Sequence, residues 1–326
     1  MRTAISAALL LMIAIQPRVG EPLKFLRAIE LRGVEGRMDH MAVDPGGDKL
    51  FIAALANNTV EVVDTKAGTH LKSLSGFREP TGIASVRDAR SIAVANGQGT
   101  GVRAIDAADY RPIKEISIGD DADNVRYDIG AKTLYVGYGG GALAAVRPAD
   151  GVVSGRATLA GHPESFQLES SGPRIFVNVP TAGHIAVVDR IAMKVTATWP
   201  VTGAAANFPM ALDEAGHRLF VGCRKPAKVL IYDTSTGKEV GASAIVGDTD
   251  DLFYDSARKR VYVSGGDGFI DVLDARDAAA LKPVARIPTA AGARTSLFVP
   301  DQSRFYVAVP HRGSQRAEIR AYEVRD

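Results

Sequence analysis

The chain has 326 residues, 46% of them hydrophobic and 23% charged. These are ordinary proportions for a soluble globular protein, and a chain of this size buries roughly three quarters of its unfolded surface. Thirty-nine Lys and Arg against 37 Asp and Glu leave a net charge of +2 with no long run of one sign, which removes nucleic acid and anionic membrane from the expected partners.

The first 20 residues stand apart. Met1-Arg2 is a short positive start and Thr3 to Ile15 is almost entirely apolar. That run is shorter than the ~20 residues a membrane-spanning helix needs, and it has the length of a signal-peptide core. A signal peptide over 1–20 is therefore expected, followed by one domain over 21–326 in the periplasm or outside the cell, with no transmembrane span. A buried N-terminal helix and an uncleaved anchor are the other readings of this segment. Gln16-Pro17-Arg18-Val19-Gly20 is not a clean small-x-small cleavage pattern, and cleavage near Gly20 would remove Arg2 and Arg18 and leave the charges balanced.

From residue 49 onward one short strand recurs seven times: Lys49-Leu-Phe-Ile-Ala, Ser91-Ile-Ala-Val-Ala, Thr133-Leu-Tyr-Val-Gly, Arg174-Ile-Phe-Val-Asn, Arg218-Leu-Phe-Val-Gly, Arg260-Val-Tyr-Val-Ser and Arg304-Phe-Tyr-Val-Ala. The column Phe51, Ala93, Tyr135, Phe176, Phe220, Tyr262, Tyr306 advances in steps of 42, 42, 41, 44, 42 and 44. That is the period of a four-stranded propeller blade. In each unit an inner strand such as His40-Met-Ala-Val-Asp precedes the repeated strand. A third strand follows, usually ending in Asp (Val60-Glu-Val-Val-Asp64, Ile270-Asp-Val-Leu-Asp274), and then a fourth. Period-2 runs between Gly, Asp and Pro turns are the mark of strands in meanders, and the 33 glycines agree with many tight turns.

The seventh unit ends after its third strand, Glu318-Ile-Arg-Ala-Tyr-Glu-Val, while Leu23-Lys-Phe-Leu-Arg-Ala-Ile-Glu-Leu precedes the first inner strand. Pairing residues 23–31 with 317–324 completes the seventh blade and removes open sheet edges. The expected fold is thus all-β, a seven-bladed β-propeller of four-stranded antiparallel blades closed by the N-terminal strand. Cys223, the one cysteine, ends the apolar run Arg218-Leu-Phe-Val-Gly and reads as a small buried hydrophobe; no intramolecular disulfide or cysteine-rich metal motif can form.

The repeats resemble the YVTN-type β-propeller proteins, many of them bacterial and exported. The resemblance is carried by Leu134-Tyr-Val-Gly-Tyr, Val261-Tyr-Val-Ser-Gly-Gly-Asp-Gly-Phe-Ile-Asp-Val-Leu-Asp and Asn57-Asn-Thr-Val-Glu-Val-Val-Asp, and it covers residue 23 to the end. It implies the fold and leaves function open, because such propellers serve as binding platforms, redox-enzyme partners and occasionally hydrolases.

In an up-and-down blade the loops alternate between two faces. One face carries the links from each fourth strand to the next inner strand. Around the ring these read Asp39-His40, Thr81-Gly82, Asp123-Asn124, Glu164-Ser165, Phe208-Pro209, Asp250-Asp251 and Thr295-Ser296, with Arg37, Glu79, His162, Asn207 and Arg294 close behind. These positions converge on the mouth of the central channel. Asp39, His40, Asp123, Asn124, Glu164, Asn207, Asp250, Asp251 and Arg294 are the candidate site. Carboxylates, an imidazole and amide oxygens together suit a divalent cation, Ca, Mg or Zn. Propellers of the gluconolactonase type resemble this arrangement, with a metal at the channel mouth, but have six blades and other motifs, so no residue carries over. The same side chains equally cap turns or line a water-filled channel, with Arg37 and Arg294 compensating the charge.

His162, Arg224, Lys225, His311 and Arg312 are further candidates on that face, the last four for an anionic group. His184 and His217 read as solvated, and Tyr138-Gly-Gly-Gly lies in a hairpin rather than between a strand and a helix, so it is no phosphate loop. No catalytic motif is legible. The expected function is a monomeric, non-catalytic binding module that takes a small ligand or protein partner on this face. The alternative is a metal-dependent, lactonase-like hydrolase.

Overall fold

The computed structural model describes residues 20–277 and 279–326; the expected signal peptide, apart from Gly20, lies outside the described residues. Alternating apolar residues in short runs between Asp and Gly turns form 28 strands among the described residues, arranged as seven four-stranded antiparallel sheets in a ring. Four short 3-10 turns and no α-helix occur among the described residues, and no helix there is long and apolar enough to cross a membrane.

Six blades are consecutive in sequence. The seventh combines Ser296–Val299, Arg304–Val309 and Glu318–Val324 with Leu23–Glu30 from the other end of the chain. Leu23 pairs with Val324 and Glu30 with Glu318, antiparallel, as the sequence predicts. Leu31 N donates to the Ala317 carbonyl and carries the pairing one residue further.

The apolar interior is divided, not shared. Seven clusters of buried side chains each join two neighbouring blades. The repeated column supplies their centres: Phe51, Phe176 and Tyr262 are wholly buried, and Ala93, Tyr135, Phe220 and Tyr306 nearly so. Each large member contributes roughly 1.5–3 kcal/mol by leaving water. Cys223 belongs to the contact between blades four and five, and burial pushes its thiol up to about 12, which makes it inert.

One device recurs in every blade. The ladder between third and outermost strand slips by one residue, leaving Leu71, Ile113, Ser154, Thr196, Val240, Val284 and Leu26 unpaired in turn. A bulge twists an edge strand and spoils it as a template for another sheet. Outer strands carrying exposed Leu71, Ile113 and Val240 need that protection.

Candidate functional site

The pairing register fixes the equivalent position in each blade. The inner-strand residue paired with the position just after the aromatic column is Met41, Ile83, Val125, Phe166, Met210, Leu252 or Ser296. Two residues earlier stand Asp39, Thr81, Asp123, Glu164, Phe208, Asp250 and Arg294, with the same steps as the aromatic column. All seven line one pocket of about 310 Å³ at the channel mouth. In the seventh blade the sequence reading is one residue late: Arg294, not Thr295, holds the mouth position, because Ser296 rather than Leu297 begins the ladder.

Two residues further back are Arg37, Glu79 and Asp121, which also line the pocket, with His162 and Asp248 at the same place in blades four and six. Glu79, Asp121 and Asp248 take left-handed backbone, φ 47°, 55° and 51°, a conformation non-glycine residues keep only where the surroundings hold it. Gly82 is required by crowding. A Cβ there would lie 2.1 Å from the Asp123 carbonyl oxygen, so the inner strand of blade two presses directly on blade three.

The mouth has two unlike halves. On the side of blades five, six, seven and one, every carboxylate is paired. Asp250 accepts from Arg224 Nη2 and faces Arg294 Nε at 3.0 Å, with Arg37 Nη2 at 3.8 Å. Arg37 also holds Asp39 at 2.8 Å, and Arg294 Nη1 holds Asp248 at 3.0 Å. Arg224 lies 3.7 Å over the Phe208 ring, a cation–π contact that fixes its plane. Burial raises the pKa of Asp250 in spite of these arginines.

Behind this half, His40 is gripped by two carboxylates, Nδ1 3.4 Å from Asp251 and Nε2 3.7 Å from Asp39. Burial works against its charge, but Asp251 and Asp39 outweigh it and lift the imidazole to about 10. Burial raises Asp39 to about 6, with Asp250 and Asp123 adding to the effect and His40 and Arg37 opposing it.

The other half, from blades two, three and four, holds Glu79, Asp121, Asp123 and Glu164, and no arginine pairs with any of them among the described residues. Glu79 accepts from Gln98 at 2.7 Å. His162 is the local cation, with Nδ1 3.1 Å from Asp121 and Nε2 3.7 Å from Asp123. Asp123 lifts it to about 9. The Glu164 carboxyl has no hydrogen-bond or ion-pair partner among the described residues; burial, with Asp123 and Asp250 nearby, raises it to about 8. One ligand atom from each of Asp123, His162 and Glu164 lies within 4.8 Å of the other two.

The remaining sequence candidates serve elsewhere. Asn207 is fully buried and donates to Asn178 Oδ1 at 2.9 Å and the His184 carbonyl at 3.2 Å, tying blade five to blade four. Asp251 accepts from the Ser296 amide at 2.8 Å and ties blade six to blade seven. Asn124 is buried with its Oδ1 unpaired. Among the anion candidates Arg224 lines the pocket, whereas Lys225, His311 and Arg312 do not; His311 holds Glu35 at 2.7 Å. Asp121 and Asp248 were not singled out from the sequence, although the repeat spacing that finds Arg37 and Glu79 finds them too. A larger cleft of about 550 Å³ between blades two and three is built from turn and strand-end residues of the opposite face, including Asp88, Tyr127, Lys132 and Arg147. It draws on two blades, whereas the mouth draws on all seven.

No protein-family model matches the chain, and no curated protein matches it by sequence. Solved structures do match. A chain of Kuenenia stuttgartiensis hydrazine synthase aligns with a TM-score of 0.74 at 19% identity, covering 85% of this chain and 95% of that one. A chain from the crystal structure of the mitotic checkpoint complex aligns with a TM-score of 0.79 at 14% identity, covering 100% of both. The protein is a seven-bladed β-propeller. At these identities the likeness is one of fold alone, and the fold by itself does not carry a function.

Proposed function

We propose that this propeller, a member of the YVTN type by its repeats, is an exported, non-catalytic binding module that takes a small polar ligand at the channel mouth. The observation behind the reading is the convergence of one residue from each of seven blades on a single pocket, six of them polar or charged. A half with three arginines and an acidic half without any together offer complementary contacts to a ligand that carries a cationic group alongside polar acceptors. His40, His162 and Glu164, lifted to about 10, 9 and 8, keep their protons at neutral pH as the arginines do, whereas Asp39 reaches only about 6, so much of the charge is balanced internally and the pocket stays open to a neutral or zwitterionic guest.

Thermal-shift screening of small charged and zwitterionic compounds, followed by calorimetry of the hits, is the test. A ligand whose affinity falls about tenfold or more on Asp250→Asn or Arg224→Ala supports the reading, since each change removes a charged hydrogen bond. Hits that bind both variants as tightly as the wild type place the ligand elsewhere and defeat it. Export is tested by fractionation of a C-terminally tagged chain, and an intact N-terminus in the cytoplasm counts against it. A lactonase-like hydrolase is the second reading, favoured by the clustering of Asp123, His162 and Glu164, and it demands turnover of an ester or lactone.

A further inference from the structure

We propose that Asp123, His162 and Glu164 form a binding site for one borderline divalent transition-metal ion, of the Zn²⁺, Co²⁺ and Mn²⁺ class. This site presupposes that the mouth is where the propeller binds, and it adds what the acidic half holds.

Geometry comes first. The three ligand atoms lie within 4.8 Å of one another. Ligands at about 2.0–2.2 Å from a tetrahedral ion lie about 3.5 Å apart, so the set closes by about an ångström. Asp123 and Glu164 hold the same mouth position in neighbouring blades, and His162 is two residues before Glu164 in the link between them. The Glu164 amide donates to the Asn178 carbonyl at 3.0 Å, which anchors that link to the blade.

The imidazole is oriented as a ligand would be. His162 Nδ1 lies 2.7 Å from the Gly139 carbonyl oxygen, in the glycine hairpin of blade three. Donation from Nδ1 to a carbonyl fixes the ring and leaves Nε2, the nitrogen on the Asp123 side, to give up its proton to an arriving ion and offer its lone pair. Metal-binding histidines are commonly held in this way.

The partner census points to the same place. Asp39, Asp248, Asp250 and Asp251 each have an arginine, histidine or backbone donor. Glu164 has none among the described residues, although its carboxyl is half-buried against that of Asp123. A carboxyl left without a donor beside a second carboxyl and an imidazole lacks a cation, and the nearest arginines are committed across the pocket.

Ligand type selects the ion. Calcium and magnesium take oxygen shells, whereas an imidazole with two carboxylates suits zinc, cobalt or manganese. Three protein ligands leave the remaining coordination positions open to the pocket, where an oxygen of the bound ligand would complete them. The competing arrangement is an imidazolium held by Asp121 and Asp123 with no ion.

The test uses chain carrying a tag without histidines, stripped with chelator and titrated with Co²⁺ and then Zn²⁺ by calorimetry and visible absorption. One equivalent per chain is expected, weakened about tenfold or more by His162→Gln and by Glu164→Gln, as loss of one of three ligands requires. His217→Gln, a histidine in a turn outside the mouth pocket, should leave binding unchanged, and millimolar Ca²⁺ or Mg²⁺ should not compete. Absence of stoichiometric Co²⁺ and Zn²⁺ binding, or unaltered binding by both ligand variants, overturns the proposal. A metal-free protein that still binds a small ligand sensitive to Asp250→Asn would sink the metal site and leave the binding module standing.

Discussion

Removing residues 20–31 takes away the strand that closes the ring. Leu23 is wholly buried and packs in the contact between blades six and seven, while Ile29 and Leu31, 3% and 2% exposed, pack between blades seven and one. One strand therefore supports two blade contacts. Losing each of these side chains costs about 2 kcal/mol at the low end of the range for buried aliphatics, so the three together cost about 6 kcal/mol before the lost ladder is counted. That is comparable with the whole stability of many domains, about 5–15 kcal/mol. At roughly 2 °C per kcal/mol for a chain of this size, the melting temperature should fall by about 12 °C or more. The assay is thermal and urea unfolding, followed by circular dichroism and Trp199 fluorescence, of chains beginning at Gly20 and at Arg32. A synthetic peptide spanning 20–32 should restore part of the loss by adding itself to the open edge. A truncated chain melting within about 2 °C of its parent would refute closure as the source of stability, given that three buried side chains alone predict six times that shift.

Gly82→Ala drives a methyl group into the Asp123 carbonyl at 2.1 Å and should destabilise by about 1–3 kcal/mol, whereas Gly140→Ala, with nothing within 4 Å, should be neutral in the same urea series. Equal effects of the two substitutions would contradict the tight contact between blades two and three. His40 has a folded pKa of about 10, above the roughly 6.5 of an unfolded chain, so its ion pairs stabilise fully below about pH 6.5 and are lost as pH rises through 10. The urea midpoint of the wild type should fall between pH 7 and 10, and His40→Asn should start lower at pH 6 and lose that part of the slope. Parallel pH profiles for the two proteins would show that Asp39 and Asp251 do not hold an imidazolium.

Fold and site were legible to different depths. The seven-fold column, the third strands ending in Asp and the missing last strand are local patterns, and period 2 within a repeat of about 42 residues leaves few ways to bury them other than as blades in a closed ring. The mouth positions follow from the same spacing, which is why Asp39, Asp123, Glu164 and Asp250 could be named from the chain alone, and Asp121 and Asp248 could have been. Arg294 follows from that spacing too, because the 44-residue step from Tyr262 to Tyr306, counted from Asp250, lands on Arg294 and not on Thr295.

What the charged residues do to one another was decided only in three dimensions. Asp250 and Glu164 look alike in sequence, yet Asp250 sits among three arginines from blades five, seven and one while Glu164 meets none. Asn207 and Asp251, polar and close to the mouth in sequence, are spent tying blades together. Repeat spacing sets where a backbone goes, because hydrogen bonding and apolar burial are repetitive. Ion pairing depends on side chains from different blades approaching within about 4 Å, where the interaction energy changes steeply with distance and burial, and those approaches differ at every step around the ring.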